Sequence, residues 1–204
     1  TVRPTSFDVS YTIDDVYYES WGYGSHEYGV FTNNKSLSNI VIPENVTKIG
    51  KFAFSGCSSL KNIVLNDNLL SIGQNAFENC SALPSITIPN KVTSIVDSTF
   101  SSCSSLMSII IPNSVTSIGE SACRNCSSLR SVIIPFSVTS IEEYAFCYCS
   151  LTEVYCEPTT PPSGVNMLTI VYGGKIYVPF QSVDAYKAAD GWKDFADSIV
   201  GCDF

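Results

Sequence analysis

The chain has 204 residues, 45 % of them hydrophobic and only 15 % charged, which supplies a sizeable core and excludes a disordered chain. Its net charge of −8, with 11 Lys and Arg scattered along it, excludes the clustered cations that nucleic acid or an anionic membrane surface requires. No run approaches the ~20 apolar residues of a bilayer-spanning helix, and no basic-then-apolar leader opens the chain at Thr1.

Residues 1–36 show no repeat but are rich in aromatics: Phe7, Tyr11, Tyr17, Tyr18, Trp21, Tyr23, Tyr28 and Phe31. They are read as an N-terminal cap of short strands covering the end of whatever follows. The one histidine, His26, falls here in "SHEYG". No nucleophile motif accompanies it, so an exposed cap histidine is expected rather than a catalytic one.

From residue 37 to 157 the chain repeats. Leu37, Leu60, Leu83, Leu106 and Leu129 are 23 residues apart, and Leu151 follows one residue early. A fixed period of this length marks a solenoid. With each leucine as position 1, position 4 reads Ile40, Ile63, Ile86, Ile109, Val132, Val154, and position 6 reads Ile42, Leu65, Ile88, Ile111, Ile134, Cys156. Apolar residues two apart predict a short strand with one face inward. Pro43, Pro89, Pro112 and Pro135 at position 7 end it, because proline has no N–H for a ladder. The second half of each unit has its own inward set: Val46, Leu69, Val92, Val115, Val138 at position 10 and Ile49, Ile72, Ile95, Ile118, Ile141 at 13. Gly50, Gly73 and Gly119 follow as a turn. Then come Ala or Thr at 17, Phe54, Phe77, Phe100, Cys123, Phe146 at 18, and Cys57, Cys80, Cys103, Cys126, Cys149 at 21. No unit buries these alone, whereas coils stacked ~4.8 Å apart let each side chain rest on its counterpart.

Residues 158–204 are read as a C-terminal cap. The prolines of "CEPTTPPSG" break the period, "KIYVP" predicts a strand, and "SVDAYKAADGWKDFADSIVG" predicts a helix. Ser182 opens it with Asp184 in the first turn, Gly191 stops it, and a short amphipathic piece carries Trp192, Phe195 and Ile199.

The pattern L-x-x-I-x-I-P-x-x-V-T-x-I-G-x-x-A-F-x-x-C-x-x over residues 37–157 resembles the leucine-rich repeat of the BspA-like, or treponemal, class of bacterial surface proteins. Asn66 for Pro, Val96 and Glu142 for Gly, and Cys123 for Phe are its departures. The tail "IYVP…SVDAYKAADGWKDFADSIVG" resembles the C-terminal tail of BspA-like proteins from gut Bacteroides relatives. The resemblance implies a leucine-rich repeat solenoid of the α/β horseshoe class, mostly β. Its form is a right-handed stack of 23-residue coils with one parallel strand per coil. It also implies an extracellular or outer-surface location with the export leader removed, and adhesion to host extracellular matrix or another cell-surface protein.

Five of the nine cysteines share one repeat position. Stacked ~4.8 Å apart and parallel, their Cβ atoms fall outside the ~3.5–4.5 Å of a bridge. A ladder of buried thiols, donating weakly to backbone carbonyls, is the expectation. A single bridge, Cys123–Cys147 or Cys156–Cys202, stays open. A four-thiolate zinc site from Cys123-x-x-Cys126 and Cys147-x-Cys149 is the sharper alternative, disfavoured because Cys126 and Cys149 belong to the inward ladder. Asp14-Asp15 and Glu142-Glu143 are sequence neighbours, not the converging pair of a glycosidase. The triplets at Asn45, Asn79 and Asn125 arise from the repeat's own Ser and Thr, so N-glycosylation is not expected. No phosphate loop, dinucleotide fingerprint or calcium loop is present. No cofactor and no enzyme activity are expected.

What is left to act is the displayed strand face. Position 5 carries Val41, Val64, Thr87, Ile110, Ile133 and Tyr155, an outward apolar stripe flanked by Lys61, Met107 and Arg130 at position 2 and Phe136 at position 8. These are the side chains that anchor protein interfaces. β-branched residues also simply suit strands, which is the competing explanation. The function expected is a secreted or cell-surface module for binding a protein partner, and the alternative is a structural spacer with no ligand.

Overall fold

The computed structural model describes residues 17–19 and 26–204, with backbone alone for 17–19 and 26–28. β1 (Tyr17–Glu19) and β2 (His26–Tyr28) pair antiparallel, with Tyr17 opposite Tyr28. Of the residues read as a cap, Phe7, Tyr11, Trp21 and Tyr23 lie outside the described residues, as do Asp14 and Asp15.

Each coil then lays down one strand at positions 3–5 and a two-residue strand at positions 12–13. The first coil carries β3 (Asn39–Val41) and β4 (Lys48–Ile49), the second β5 (Asn62–Val64) and β6 (Ser71–Ile72). The third has β7 (Ser85–Thr87) and β8 (Ser94–Ile95), the fourth β9 (Ser108–Ile110) and β10 (Ser117–Ile118), the fifth β11 (Ser131–Ile134) and β12 (Ser140–Ile141). In the first strand of each coil the middle residue is buried and its neighbours are exposed, as period-2 alternation demands. Pairing is parallel and in register: Ile40 opposite Ile63, Ile86 opposite Ile109, Val132 opposite Val154. The ladder is interrupted between β9 and β11, and also between β5 and β7. There Pro84 occupies position 2, where Lys61 and Met107 each donate an N–H to the coil before.

The interior is a set of columns. Phe31, Phe54, Phe77 and Phe100 stack with ring centroids 5.2, 5.2 and 5.4 Å apart and planes within 5°. Phe31 stands 23 residues before Phe54, so the column starts ahead of the first leucine. Beside it Asn34 takes the cysteine position, its Oδ1 accepting the N–H of Ser36 and of Leu37. The five column thiols each donate to a carbonyl oxygen 26 residues earlier, Cys57 to Phe31 and so on to Cys149 to Cys123, at 3.1–3.2 Å. Hydroxyls staple coils in the same direction, as Ser114 to Val92 and Ser137 to Val115 at 2.7 and 2.6 Å.

Two details differ from expectation. Gly50, Gly73 and Gly119 open the turn, their carbonyls accepting the N–H of Ala53, Ala76 and Ala122, but they do not take its left-handed backbone. Gly73 and Gly119 are required by close approach: a Cβ on Gly73 would lie 2.7 Å from the Gly50 carbonyl carbon, and one on Gly119 2.7 Å from the Asp97 nitrogen. The left-handed backbone falls instead at positions 16 and 20, where Phe52, Asn75, Ser98, Ser121, Tyr144 and then Gly56, Asn79, Ser102, Asn125, Tyr148 adopt it, φ 54–71°. Asn66 is no neutral departure from proline either. Its buried amide donates to the carbonyls of Pro43 and Val46 at 2.6 and 2.9 Å, tying the second coil to the first.

Beyond the prolines the stacking continues. β13 (Phe146–Cys156) and β14 (Leu168–Pro179) pair parallel with Val154 opposite Ile176. A 3-10 turn, α1 (Val183–Ala188) and a second 3-10 turn (Lys193–Ser198) follow. β15 (Ile199–Cys202) then closes the sheet, with Ile176 opposite Ile199. Ser182 does not cap α1; its hydroxyl donates to Thr159 O at 2.7 Å, binding the helix to the proline segment. Tyr186 Oη and Trp192 Nε1 do likewise, donating to Pro158 and Pro162 carbonyls at 2.8 Å each. Their rings meet edge to face at 4.9 Å. The prolines thus leave carbonyls free that the buried aromatics of the last coil satisfy.

Candidate functional site: the strand face

Strand pairing sets position-5 residues side by side in neighbouring coils: Val41 by Val64, Thr87 by Ile110, Ile133 by Tyr155. Val41, Ile110 and Ile133 are 65, 57 and 54 % exposed, so neighbours in the stack do not cover one another. Flanking Met107 and Phe136 are 61 and 62 % exposed. Lys61 and Arg130 are exposed on the Met107 side, while Glu44 and Asp67 are exposed at position 8 on the other. Thr87 interrupts the apolar row and Tyr155 is half-buried.

Of the ten residues expected on this face, Val41, Val64, Thr87, Ile110, Ile133 and Tyr155 share repeat position 5, and Lys61, Met107, Arg130 and Phe136 are exposed at the flanking positions 2 and 8. Two more were not anticipated. Tyr177 lies opposite Tyr155 and Val200 opposite Tyr177, which lengthens the column to eight rungs. The two tyrosines stack at 4.8 Å and 14°. Partial burial, then the adjacent Glu153, holds the Tyr155 phenol above its ordinary pKa. The spacing from Tyr155 to Tyr177 to Val200, 22 and then 23 residues, was the available signal.

The cysteines are committed inward. All nine are free thiols and all but Cys202 are buried. Within the two motifs weighed for zinc, Cys126, Cys149 and Cys147 donate to Phe100, Cys123 and Asn166 carbonyls at 3.1–3.2 Å. Burial pushes the Cys80, Cys103 and Cys156 thiols well up. Cys126 is raised first by a thiol hydrogen bond with Cys123 and Cys149 by one with Cys126, and both then by burial. Thiols held protonated by burial and turned onto backbone carbonyls are not poised as nucleophiles.

Glu142 and Glu143 border an open hollow of about 490 Å³ with Pro161, Pro162, Gly164 and Asp190. Glu143 accepts the Asn166 amide at 3.2 Å and Asp190 pairs with Lys193 at 2.7 Å, so two of its carboxylates already have partners. His26 lies in β2, where only backbone is described.

The sequence matches the profile of the BspA type leucine rich repeat region in six copies over residues 26–152. Among solved structures the chain is similar to the leucine rich repeat protein TpLRR of T. pallidum, at 32 % identity over 69 % of each chain, TM-score 0.58. The pneumococcal vaccine antigen PcpA shares the fold at TM-score 0.70 and 20 % identity; the match covers 87 % of this chain and 46 % of PcpA. A leucine-rich repeat protein from Bacteroides ovatus matches 96 % of this chain and 69 % of its own at 19 % identity and TM-score 0.48. No curated protein matches the sequence. With well over half its residues in the repeat profile and the repeat columns stacked as that pattern requires, the chain belongs to the BspA-type leucine-rich repeat family.

Proposed function

We propose that this chain is a secreted or cell-surface binding module whose strand face takes a protein partner, from host extracellular matrix or another cell surface. The carrying observation is the column from Val41 to Val200, apolar but for Thr87, whose Val41, Val64, Ile110 and Ile133 stand open to solvent on paired strands. Large exposed apolar residues aligned on one rigid face are what monomeric proteins avoid and interfaces use. The charges beside it set the partner's chemistry: an apolar strip, acidic where it meets Lys61 and Arg130 and basic where it meets Glu44 and Asp67. The family reading supports this, since leucine-rich repeat domains generally mediate protein–protein contact and BspA-type proteins are surface or adhesin-like modules. Among the described residues no helix is long and apolar enough to cross a membrane.

Replacing Ile110 and Ile133 together by Asp tests the face. Both are exposed, so the fold should survive with a loss near ~1 kcal/mol per strand substitution. Against immobilised matrix proteins and intact host cells, wild type should bind at least one and the double variant should bind it ~100-fold more weakly, as for two lost central anchors. Undiminished binding by the variant places the site elsewhere. Wild type that binds nothing makes the chain a spacer.

A further inference from the structure

A second surface, on the turns rather than the strands, is built around Arg124. Its guanidinium carbon lies 5.5 Å from the ring centre of Tyr144 and 5.2 Å from that of Tyr148. The Nε–H is buried with no acceptor, and the one ion pair among the described residues is elsewhere, at Lys193–Asp190. The cation is thus held by two π-faces alone, with its Nη edge uncommitted.

The two tyrosines stand where the fold favours other residues. Tyr144 and Tyr148 occupy positions 16 and 20 with φ 61 and 59°, left-handed backbone that a bulky side chain disfavours. The other coils place Asn, Ser or Gly at these positions, apart from Phe52. Two costly residues converge on a single guanidinium, in one coil, and strain of this kind gathers at binding sites. Next to them Glu143 accepts a hydrogen bond from the Asn166 amide at 3.2 Å.

We propose that Arg124, Tyr144 and Tyr148 form a binding site for an acidic sugar residue, a uronic or sialic acid, whose carboxylate seats end-on across the two Nη atoms. The exposed ring of Tyr148 offers a face for the apolar side of a pyranose, and Glu143 an acceptor for its hydroxyls. A carboxylate anchored rigidly to a ring suits this pre-ordered guanidinium. An aspartate or glutamate on a peptide would first have to lose its rotamer freedom. Glu143 works against a bare anion that brings no donors of its own. The site is separate from the strand face and stands or falls independently of the function proposed above.

The chain's own coils supply variants that the fold accepts. Arg124→Ser installs the residue found at Ser101, Tyr144→Asn that of Asn75, and Tyr148→Asn that of Asn79. Each should leave the melting temperature unchanged or, for the tyrosines, raise it. Titration of the ¹⁵N-labelled full chain with D-glucuronate and with N-acetylneuraminate should give saturable shifts at the amides of Asn125, Cys147 and Tyr148. Half-saturation in the millimolar range is expected for a single monosaccharide contact. Arg124→Ser and Arg124→Lys should weaken it at least ~10-fold, the lysine because it lacks the planar fork. Tyr148→Asn should weaken it ~3-fold or more, about one stacking contact. The proposal is overturned by equal shifts with D-glucose, by equal shifts with sodium sulfate at matched ionic strength, or by undiminished binding in Arg124→Ser. Binding of N-acetyl-aspartate methylamide as tight as glucuronate would assign the site to acidic peptides instead.

Discussion

Titrated in reductant from pH 8 towards pH 11, the protein is expected to lose its fold cooperatively near pH 10. Cys80, Cys103, Cys126, Cys149 and Cys156 all have thiol pKa values held far above the ordinary 9.0, by burial and by contact with other thiols. A raised folded-state pKa leaves stability whole below the unfolded value and drains it above, because the unfolded chain then loses protons that the native chain keeps. Each such thiol costs ~1.4 kcal/mol per pH unit above about 8.5, so five cost roughly 7 kcal/mol per unit against a domain stability of ~5–15 kcal/mol. Tyr186, raised by burial, adds to the loss at the upper end of that range. Far-UV circular dichroism against pH reads the transition. A flat signal to pH 11 would mean that the cysteine column is solvated. Thiol counting at pH 8 gives the companion result: Ellman's reagent should find about one reactive group in the native chain, Cys202, and all nine in guanidinium. Fewer than nine would reveal a disulfide.

Phe77→Ala should cost ~3–5 kcal/mol in urea denaturation, among the largest effects of any single truncation. The ring is fully buried between Phe54 and Phe100 at 5.2 and 5.4 Å, and neither neighbour can follow it without pulling its own coil out of register. Both the lost transfer energy and a cavity the stack cannot close therefore count. A loss under about 2 kcal/mol would contradict a column whose interior rungs cannot close over a cavity.

The inward columns were legible because a solenoid repeats its contacts at the period of its sequence. Ile40 and Ile63, or Cys80 and Cys103, announce their contact by spacing alone. What was not legible came from backbone geometry or from changes in period. The turns at positions 16 and 20 hide because Phe, Asn, Ser, Tyr and Gly all serve there, sharing a φ and no side-chain chemistry. Tyr177 and Val200 were missed on the strand face because Pro158, Pro161 and Pro162 mask a coil whose length has shifted to 22 residues. Phe31 was assigned to a cap because no leucine follows the rule before it, although counting 23 back from Phe54 finds it. Ser182 has the sequence of a helix cap, yet the unpaired carbonyl of Thr159 is the acceptor its hydroxyl reaches.

Excising residues 106–128, one whole coil, tests most directly whether successive windings are interchangeable layers of one core. The shortened chain should still unfold in a single cooperative transition, with parallel-sheet circular dichroism retained and a melting temperature a few degrees lower. Removal of Cys123 would bring Phe146 beneath Phe100 and make the phenylalanine column continuous, which limits the loss. If excision of this single coil abolishes cooperative unfolding, the columns are not equivalent layers, and the structure described above is wrong in its central feature.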